Sequence, residues 1–244
     1  MKFSEGFWSL RKGVTLYSPA EARDIIVSDK KLMVVAPTKN INHRGDTLNL
    51  AQLTLEFTSP VPDIIGVKIT HHRGRLDRGP EFKLNRNDSF PVHIDVNDDY
   101  ASLTSGNLKV KISKKSWQVD FEYDGRRITG SKGKSMGYLT TEKDGSFVRE
   151  QLDLDVGEYV YGLGERFTPF VKNGQNVDIW NEDGGTSSEL SYKNIPFYIT
   201  SKGYGVLVNH PERVSYEIAS EVVSKVQFSV PGESLEYFVI GGKS

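Results

Sequence analysis

A chain of 244 residues is long enough to bury a proper core, as one large β domain or two small ones. Its formal net charge of -1 and 37% hydrophobic content describe a soluble globular protein without a polyanion-seeking surface, which argues against nucleic acid as a partner. Zero cysteines exclude disulfides, thiolate metal sites and a cysteine nucleophile, and suit a reducing compartment.

The chain opens Met-Lys-Phe-Ser-Glu-Gly-Phe-Trp, with an acid at Glu5 and no apolar run behind it, unlike a secretory signal. No stretch approaches the ~18 apolar residues of a membrane span. The expectation is a cytoplasmic protein that does not engage a membrane. Pro19 to Ile26, with Pro-Ala-Glu-Ala-Arg, is the one stretch with a helical look, and it is short. The polar run from Lys39 to Asn49 reads as a loop, and its Arg44-Gly45-Asp46, the adhesion tripeptide, as a turn within it.

Strict alternation then takes over. Leu53, Leu55 and Phe57 share a face, as do Ile65, Val67 and Ile69, and Leu108, Val110 and Ile112. Trp117, Val119, Phe121 and Tyr123 follow the same rule, and so do Val226, Phe228 and Val230, then Leu235, Tyr237 and Val239. Alternation of this kind sets one face in a core and the other in water, as in antiparallel sheets. Tight-turn pairs stand between the runs at Asp124-Gly125, Asp144-Gly145, Asn173-Gly174 and Lys202-Gly203, and predict hairpins. Many strands without alternating helices predict an all-β fold: a large antiparallel β-sandwich with few short helices, spanning 1–244 as a single domain.

Most chemical motifs fail on their surroundings. Gly162-Leu-Gly164-Glu-Arg-Phe167 begins like a dinucleotide fingerprint, but Phe167 replaces the third glycine and no helix pattern follows. Gly133-Lys-Ser135-Met-Gly137 matches a nucleophile elbow without the helix that motif needs. The ending Gly241-Gly242-Lys243-Ser244 echoes a phosphate loop but has Tyr237 where that motif requires glycine. His71 and His72 are adjacent, so on a strand they point to opposite faces and cannot share a metal. Asp95, Asn97, Asp98 and Asp99 offer oxygens without the glycine and final glutamate of an EF-hand, which reads as a solvated turn. No metal and no cofactor are expected.

The stretch from Tyr159 to Tyr198 is the densest in residues that contact sugars. Aromatic faces cover the C–H surfaces of a pyranose, and carboxylates and amides hold its hydroxyls. Two readings stay open from the residues: a loop presented at a sugar pocket, or Gly-rich hairpins carrying ordinary core aromatics. For Asp183, the second reading is an Asp-Gly turn whose acid caps its own backbone.

Tyr161-Gly-Leu-Gly-Glu-Arg-Phe167, Trp180-Asn-Glu-Asp-Gly-Gly-Thr186 and Tyr192-Lys-Asn-Ile-Pro-Phe-Tyr198 together resemble the N-terminal domain of family 31 glycoside hydrolases, most closely their bacterial α-xylosidase branch. The resemblance continues through Gly203-Tyr-Gly-Val-Leu-Val-Asn-His-Pro211 and Val223-Ser-Lys-Val-Gln-Phe228, and begins upstream at Arg127-Ile-Thr-Gly-Ser131. It implies a sandwich like that of galactose mutarotases, followed after residue 244 by a β/α barrel that carries the nucleophilic and acid/base aspartates. No catalytic residue is then expected in this chain. The resemblance also implies that the loop around Asp183 completes the pocket for an α-linked xylose- or glucose-containing saccharide. Asn49 stands where relatives can carry an aspartate near the aglycone end, so it is the second candidate contact, without the charge. Glu165 and Arg166 are expected to form a structural salt bridge. The partner implied is the protein's own C-terminal barrel, and a surface left bare by its absence favours homo-oligomers.

Two further functions compete. A free-standing carbohydrate-binding sandwich would bind sugar without any barrel. A mutarotase-like epimerase would need a His and a Glu facing each other on one sandwich face, for which His210 is the candidate.

Overall fold

The computed structural model describes residues 1–6, 9–74, 82–85, 87 and 90–242. Phe7 and Trp8 of the opening stretch and Lys243 and Ser244 of the phosphate-loop echo lie outside them. Among the described residues, strands numbered β1 to β19 in chain order build three antiparallel sheets, and the one helical turn is a 3-10 segment at Arg44–Thr47.

The largest sheet runs β13 (Val160–Gly162), β15 (Phe197–Thr200), β16 (Gly205–Val208), β19 (Ser234–Ile240), β5 (Ile64–Thr70), β4 (Gln52–Thr58), β3 (Lys31–Pro37), β2 (Asp24–Ser28). The second runs β1 (Val14–Tyr17), β11 (Gly137–Thr141), β12 (Gly145–Asp153), β18 (Lys225–Pro231), β17 (Val214–Ile218), β14 (Asn176–Ile179). The third runs β10 (Arg126–Lys132), β9 (Gln118–Tyr123), β8 (Leu108–Ser113), β7 (Tyr100–Ser105), β6 (His93–Val96). The eight-stranded sheet faces both others: β19 lies against β12 and β18, while β5 and β3 lie against β8 and β7. The fold is the predicted all-β sandwich.

The alternating apolar runs form the core. Leu53, Leu55, Phe57, Ile65, Val67 and Ile69 are fully buried from the eight-stranded sheet, and Val110, Ile112, Val119 and Phe121 from the five-stranded one. Between the other pair of sheets, aromatic rings interdigitate. Tyr198 meets Tyr216 at 6.3 Å, Tyr216 meets Phe228 at 6.0 Å, and Phe228 meets Tyr237 edge-on at 5.1 Å, close to the geometry that ring quadrupoles favour. Two of these hydroxyls find acceptors inside: Tyr216 donates to the Pro196 carbonyl, and Tyr237 donates to Glu150 Oε2, both at 3.0 Å.

β12 and β18 depart from a simple buried/solvated alternation. Arg149, Gln151, Gln227 and Ser229 point away from the core yet are buried. The amino-terminal segment covers them: Phe3 is fully buried against Phe147, and Gln227 donates to the Met1 carbonyl at 3.0 Å. Glu221 fastens the cover by accepting from the Ser4 amide at 2.8 Å and its hydroxyl at 2.7 Å. Under it, burial pushes the Arg149 guanidinium down to about 10, while Glu221 and Glu150 act in the opposite direction.

Two sequence expectations are corrected. The stretch from Pro19 to Ile26 is not helical: Ala20 and Arg23 donate to the Pro37 and Val35 carbonyls, each at 2.9 Å, and Asp24–Ser28 is the edge strand β2. Ile25, Ile26 and Val27 explain this, since β-branched side chains lose rotamer freedom in a helix and fit a pleated edge. The Asn173-Gly174 turn is no hairpin either. Its flanking strands, β13 and β14, belong to different sheets, so the turn carries the chain from one layer to the other. Asp124-Gly125 and Lys202-Gly203 do join paired neighbours, β9 to β10 and β15 to β16, and Asp144-Gly145 joins β11 to β12.

Glu233, in the β18–β19 turn, clasps two sheets. It contacts His71 Nδ1 at 2.6 Å and accepts from Tyr138 at 3.0 Å, and His71 stacks on the Tyr138 ring at 3.8 Å. Burial raises the Glu233 carboxyl, but its bonds to His71 and Tyr138 outweigh this and hold it below the usual range. Glu233→Ala is expected to cost about 1–2 kcal/mol in urea unfolding at neutral pH; an unchanged midpoint would mean that the clasp contributes nothing.

Candidate functional site

The Tyr159–Tyr198 stretch folds as a long excursion from one end of the eight-stranded sheet. It leaves at β13, visits the six-stranded sheet through β14, and returns at β15, which pairs with β13 through Gly162 and Tyr198. The departure is a run of three left-handed residues, Gly162 (φ 107), Leu163 (φ 68) and Gly164 (φ 88). Leu163 adopts this costly conformation while fully buried, so its apolar burial offsets the backbone strain. Glu165 then donates its amide to the Lys193 carbonyl at 3.0 Å, tying the outgoing chain to the returning one.

Arg166 sits at the centre of the excursion. Its Nε donates to the Leu163 carbonyl at 3.0 Å, Nη1 to Glu189 O at 3.0 Å, and Nη2 to Asp178 O at 2.9 Å and to Asn194 Oδ1. Burial lowers its pKa, and the nearby Asp178 opposes that. The expected Glu165–Arg166 salt bridge is not formed. Glu165 pairs with Lys193 at 2.9 Å, and Arg166 serves the Leu163, Asp178 and Glu189 carbonyls instead.

Asp183 lies on the exposed limb between Asn181 and Leu190. Among the described residues its carboxylate makes no hydrogen bond or ion pair, so it does not cap its own turn. The limb is closed at its base, where Asn181 and Ser191 form a bridge and Glu182 N donates to Ser191 O at 3.0 Å. A Cβ on Gly184 would lie 2.2 Å from the Leu190 carbonyl, so this glycine is required by the loop's own closure; Gly185 faces open space.

Two cavities adjoin the excursion, one lined by Glu182 and the other by Gly184, the neighbours of Asp183 in the chain. One, of about 270 Å³, is lined by Asp178, Trp180, Glu182, Glu189 and Arg213. The other, of about 520 Å³, is lined by Phe167, Phe170, Gly184, Tyr192 and Lys193. The aromatics of this stretch are mostly not core residues: Phe167, Phe170, Trp180 and Tyr192 are all exposed, at 66%, 78%, 47% and 63%. Arg213 stands over the Trp180 ring at 5.6 Å and approaches the Asp178 and Glu182 carboxylates at 3.8 and 4.0 Å. Sequence reasoning passed over Arg213. It comes from the turn between β16 and β17, and no local signal tied it to this loop.

Asn49 is exposed in the turn before β4, at φ 52, a conformation that asparagine tolerates better than most residues. It lies at the same end of the eight-stranded sheet as the Asp183 excursion. Four strands separate β4 from β13, so the two anchor points are roughly 24 Å apart at the usual strand spacing. The strands from which the two loops depart are therefore not neighbours in the sheet.

The other motifs resolve into local structure. The Gly133–Gly137 segment is the turn from β10 to β11, and no helix follows it. Asn97 Oδ1 accepts from the Asp99 and Tyr100 amides at 3.0 Å, and Lys115 pairs with Asp99, as in a solvated turn. Asp46 caps the Asn42 and His43 amides at the 3-10 turn. Among the described residues no three His, Asp or Glu side chains gather as a metal site would. His210 is pushed below its ordinary value by burial, which outweighs the opposing charge of Glu212. Among the described residues His71 and Glu233 form a His–Glu pair, and that carboxylate is already taken up by the clasp.

Residues 54–217 match the glycosyl hydrolase 31 N-terminal galactose mutarotase-like domain. The alpha-xylosidase XylQ of Lactiplantibacillus pentosus is 48% identical over 244 residues, which make up 99% of this chain and 32% of that protein. An alpha-xylosidase of Emericella nidulans is 47% identical over 265 residues, covering 100% of this chain and 34% of that one. The chain thus spans about one third of the length of these curated relatives. Among solved structures, the cycloalternan-forming enzyme from Listeria monocytogenes in complex with a pentasaccharide superposes with a TM-score of 0.76 at 18% identity, over 95% of this chain and 21% of that one. At that identity the likeness supports the fold alone.

Proposed function

Because this chain belongs to the glycosyl hydrolase 31 N-terminal galactose mutarotase-like domain family, we propose that it is the non-catalytic N-terminal domain of a longer retaining glycosidase, acting on α-linked xylosides or glucosides. Two relatives that match nearly the whole chain are both named alpha-xylosidases, which favours the xyloside. The nucleophile and acid/base of such an enzyme would belong to a β/α barrel, with the present domain shaping the pocket entrance.

The observation that carries the reading is the state of Asp183: an exposed carboxylate, without a protein partner among the described residues, whose chain neighbours Glu182 and Gly184 line two cavities that also expose aromatic rings. A carboxylate so placed can accept two sugar hydroxyls while neighbouring rings cover apolar C–H faces. Asn49 is proposed as a separate contact towards the aglycone, supported by its exposure and by its position at the same end of the sheet.

In the longer enzyme, Asp183→Ala is expected to raise KM for a nitrophenyl α-xyloside by about tenfold to a hundredfold, the worth of one or two charge-assisted hydrogen bonds. The 244-residue chain alone is expected to hydrolyse neither that substrate nor the α-glucoside. Tight xyloside binding by the chain alone would instead support a free-standing binding module. An unchanged KM would remove Asp183 from the pocket.

A further inference from the structure

We propose that Arg166, locked by Asn194, is a positioning residue that sets where the Asp183 loop points. The inference rests on the pocket reading of that loop and adds the device that holds it. Beyond the closure at Asn181, Glu182 and Ser191 and the packing of Gly184 on Leu190, the hydrogen bonds within the loop are local, Ser188 N to Gly185 O at 3.2 Å and Leu190 N to Ser188 Oγ at 3.3 Å. Its direction therefore depends on how the stems are fixed.

Arg166 fixes them all at once. One planar guanidinium reaches Leu163 O where the excursion leaves, Asp178 O on the outgoing stem and Glu189 O on the returning limb. It also binds Asn194 Oδ1. Asn194 continues the tie: the two hydrogens of its Nδ2 are shared among Ser191 O at 2.6 Å, Trp180 O at 2.8 Å and Asn181 Oδ1 at 3.0 Å. The choice of acceptors is informative. Asp178 and Glu189 offer main-chain oxygens to the guanidinium, and among the described residues no carboxylate lies within salt-bridge distance of Arg166. The carboxylates of Asp183 and Glu189 stay exposed to solvent or ligand, while Glu182 lies 4.0 Å from Arg213. The guanidinium spreads five donors over a planar fork and reaches four acceptors at once, whereas a lysine ammonium has three donors on a single atom.

The test combines amide hydrogen exchange on the 244-residue protein with kinetics of the longer enzyme. In Arg166→Lys, and independently in Asn194→Ala, exchange at the Glu165, Glu182 and Lys193 amides is expected to rise at least ~10-fold, with β12 and β18 amides unchanged. Added methylguanidinium is expected to restore protection in Arg166→Ala. Unchanged loop amides would overturn the proposal. So would faster exchange throughout the sandwich, because Arg166 would then be a general stabiliser. In the longer enzyme, Arg166→Lys is expected to raise KM for the α-xyloside about tenfold, and adding it to Asp183→Ala should cause little further loss. If Asp183→Ala raises KM and Arg166→Lys does not, the positioning role falls. If Asp183→Ala itself has no effect, the pocket reading fails, and the exchange data still decide whether Arg166 holds the loop.

Discussion

Glu150→Gln is expected to stabilise the domain by up to about 3 kcal/mol at pH 8 and to leave it nearly unchanged at pH 4, since a tenfold change in proton affinity is worth about 1.4 kcal/mol. Glu150 sits on the core face of β12, fully buried, with Val148 and Leu152 beside it and Phe228 opposite on β18. Burial pushes its carboxyl from an ordinary 4.5 up to about 7, against the lowering effect of hydrogen bonds from the Gln151 amide and the Tyr237 hydroxyl. A folded pKa above the unfolded one means that the native state holds the proton more tightly. Stability from this group is therefore complete below about pH 4.5 and is lost as pH rises through about 7. Glutamine mimics the neutral acid and can still bond Tyr237, so its unfolding midpoint should lack this pH dependence. Urea titrations of both proteins between pH 4 and pH 8 provide the measurement, and parallel curves would show that Glu150 titrates normally.

Gly164→Ala is expected to cost more than about 3 kcal/mol and to free the Asp183 loop. At φ 88 a side chain is already strained by about 1 kcal/mol or more. The added Cβ would also fall 2.0 Å from the Lys193 carbonyl and 3.0 Å from the Ile195 amide, both backbone atoms that cannot swing aside. The chain would have to separate the 163–165 and 193–197 segments, breaking the Glu165 N to Lys193 O bond and moving Arg166. Gly125→Ala is the control. It has a similar φ of 74 but nothing within 4 Å of the new Cβ, so its cost should stay near 1 kcal/mol. Equal losses in the two variants would show that backbone strain, and not the close chain crossing, decides the effect.

The sandwich was legible because its signal is local. Runs such as Leu53-Leu55-Phe57 and Leu235-Tyr237-Val239 alternate with the period of a strand, and each of those residues is buried. The edge strand β2 was misread because Pro-Ala-Glu-Ala-Arg looks helical in isolation, while β3 is what satisfies its backbone. Residues such as Gln151 and Gln227 look like solvated positions and are buried, since the first residues of the chain close over them. The family resemblance singled out Asp183. It said nothing of the pairing of Glu165 with Lys193 or the clasp of His71 with Glu233, which are formed across 28 and 162 positions of sequence.

The amino-acid order by itself determined the strand pattern, most of the tight turns and the residue types of the sugar-contacting stretch, because these follow from side-chain periodicity and the conformational range of glycine. Tertiary structure alone decided that Asp183 is free of protein partners among the described residues and that Arg166 binds carbonyls from both stems of its loop. It also decided that four strands stand between β4, which follows Asn49, and β13, where the excursion begins. Strand order and side-chain partnership depend on which distant segments share a hydrogen-bonding edge or a face, and no local pattern encodes that.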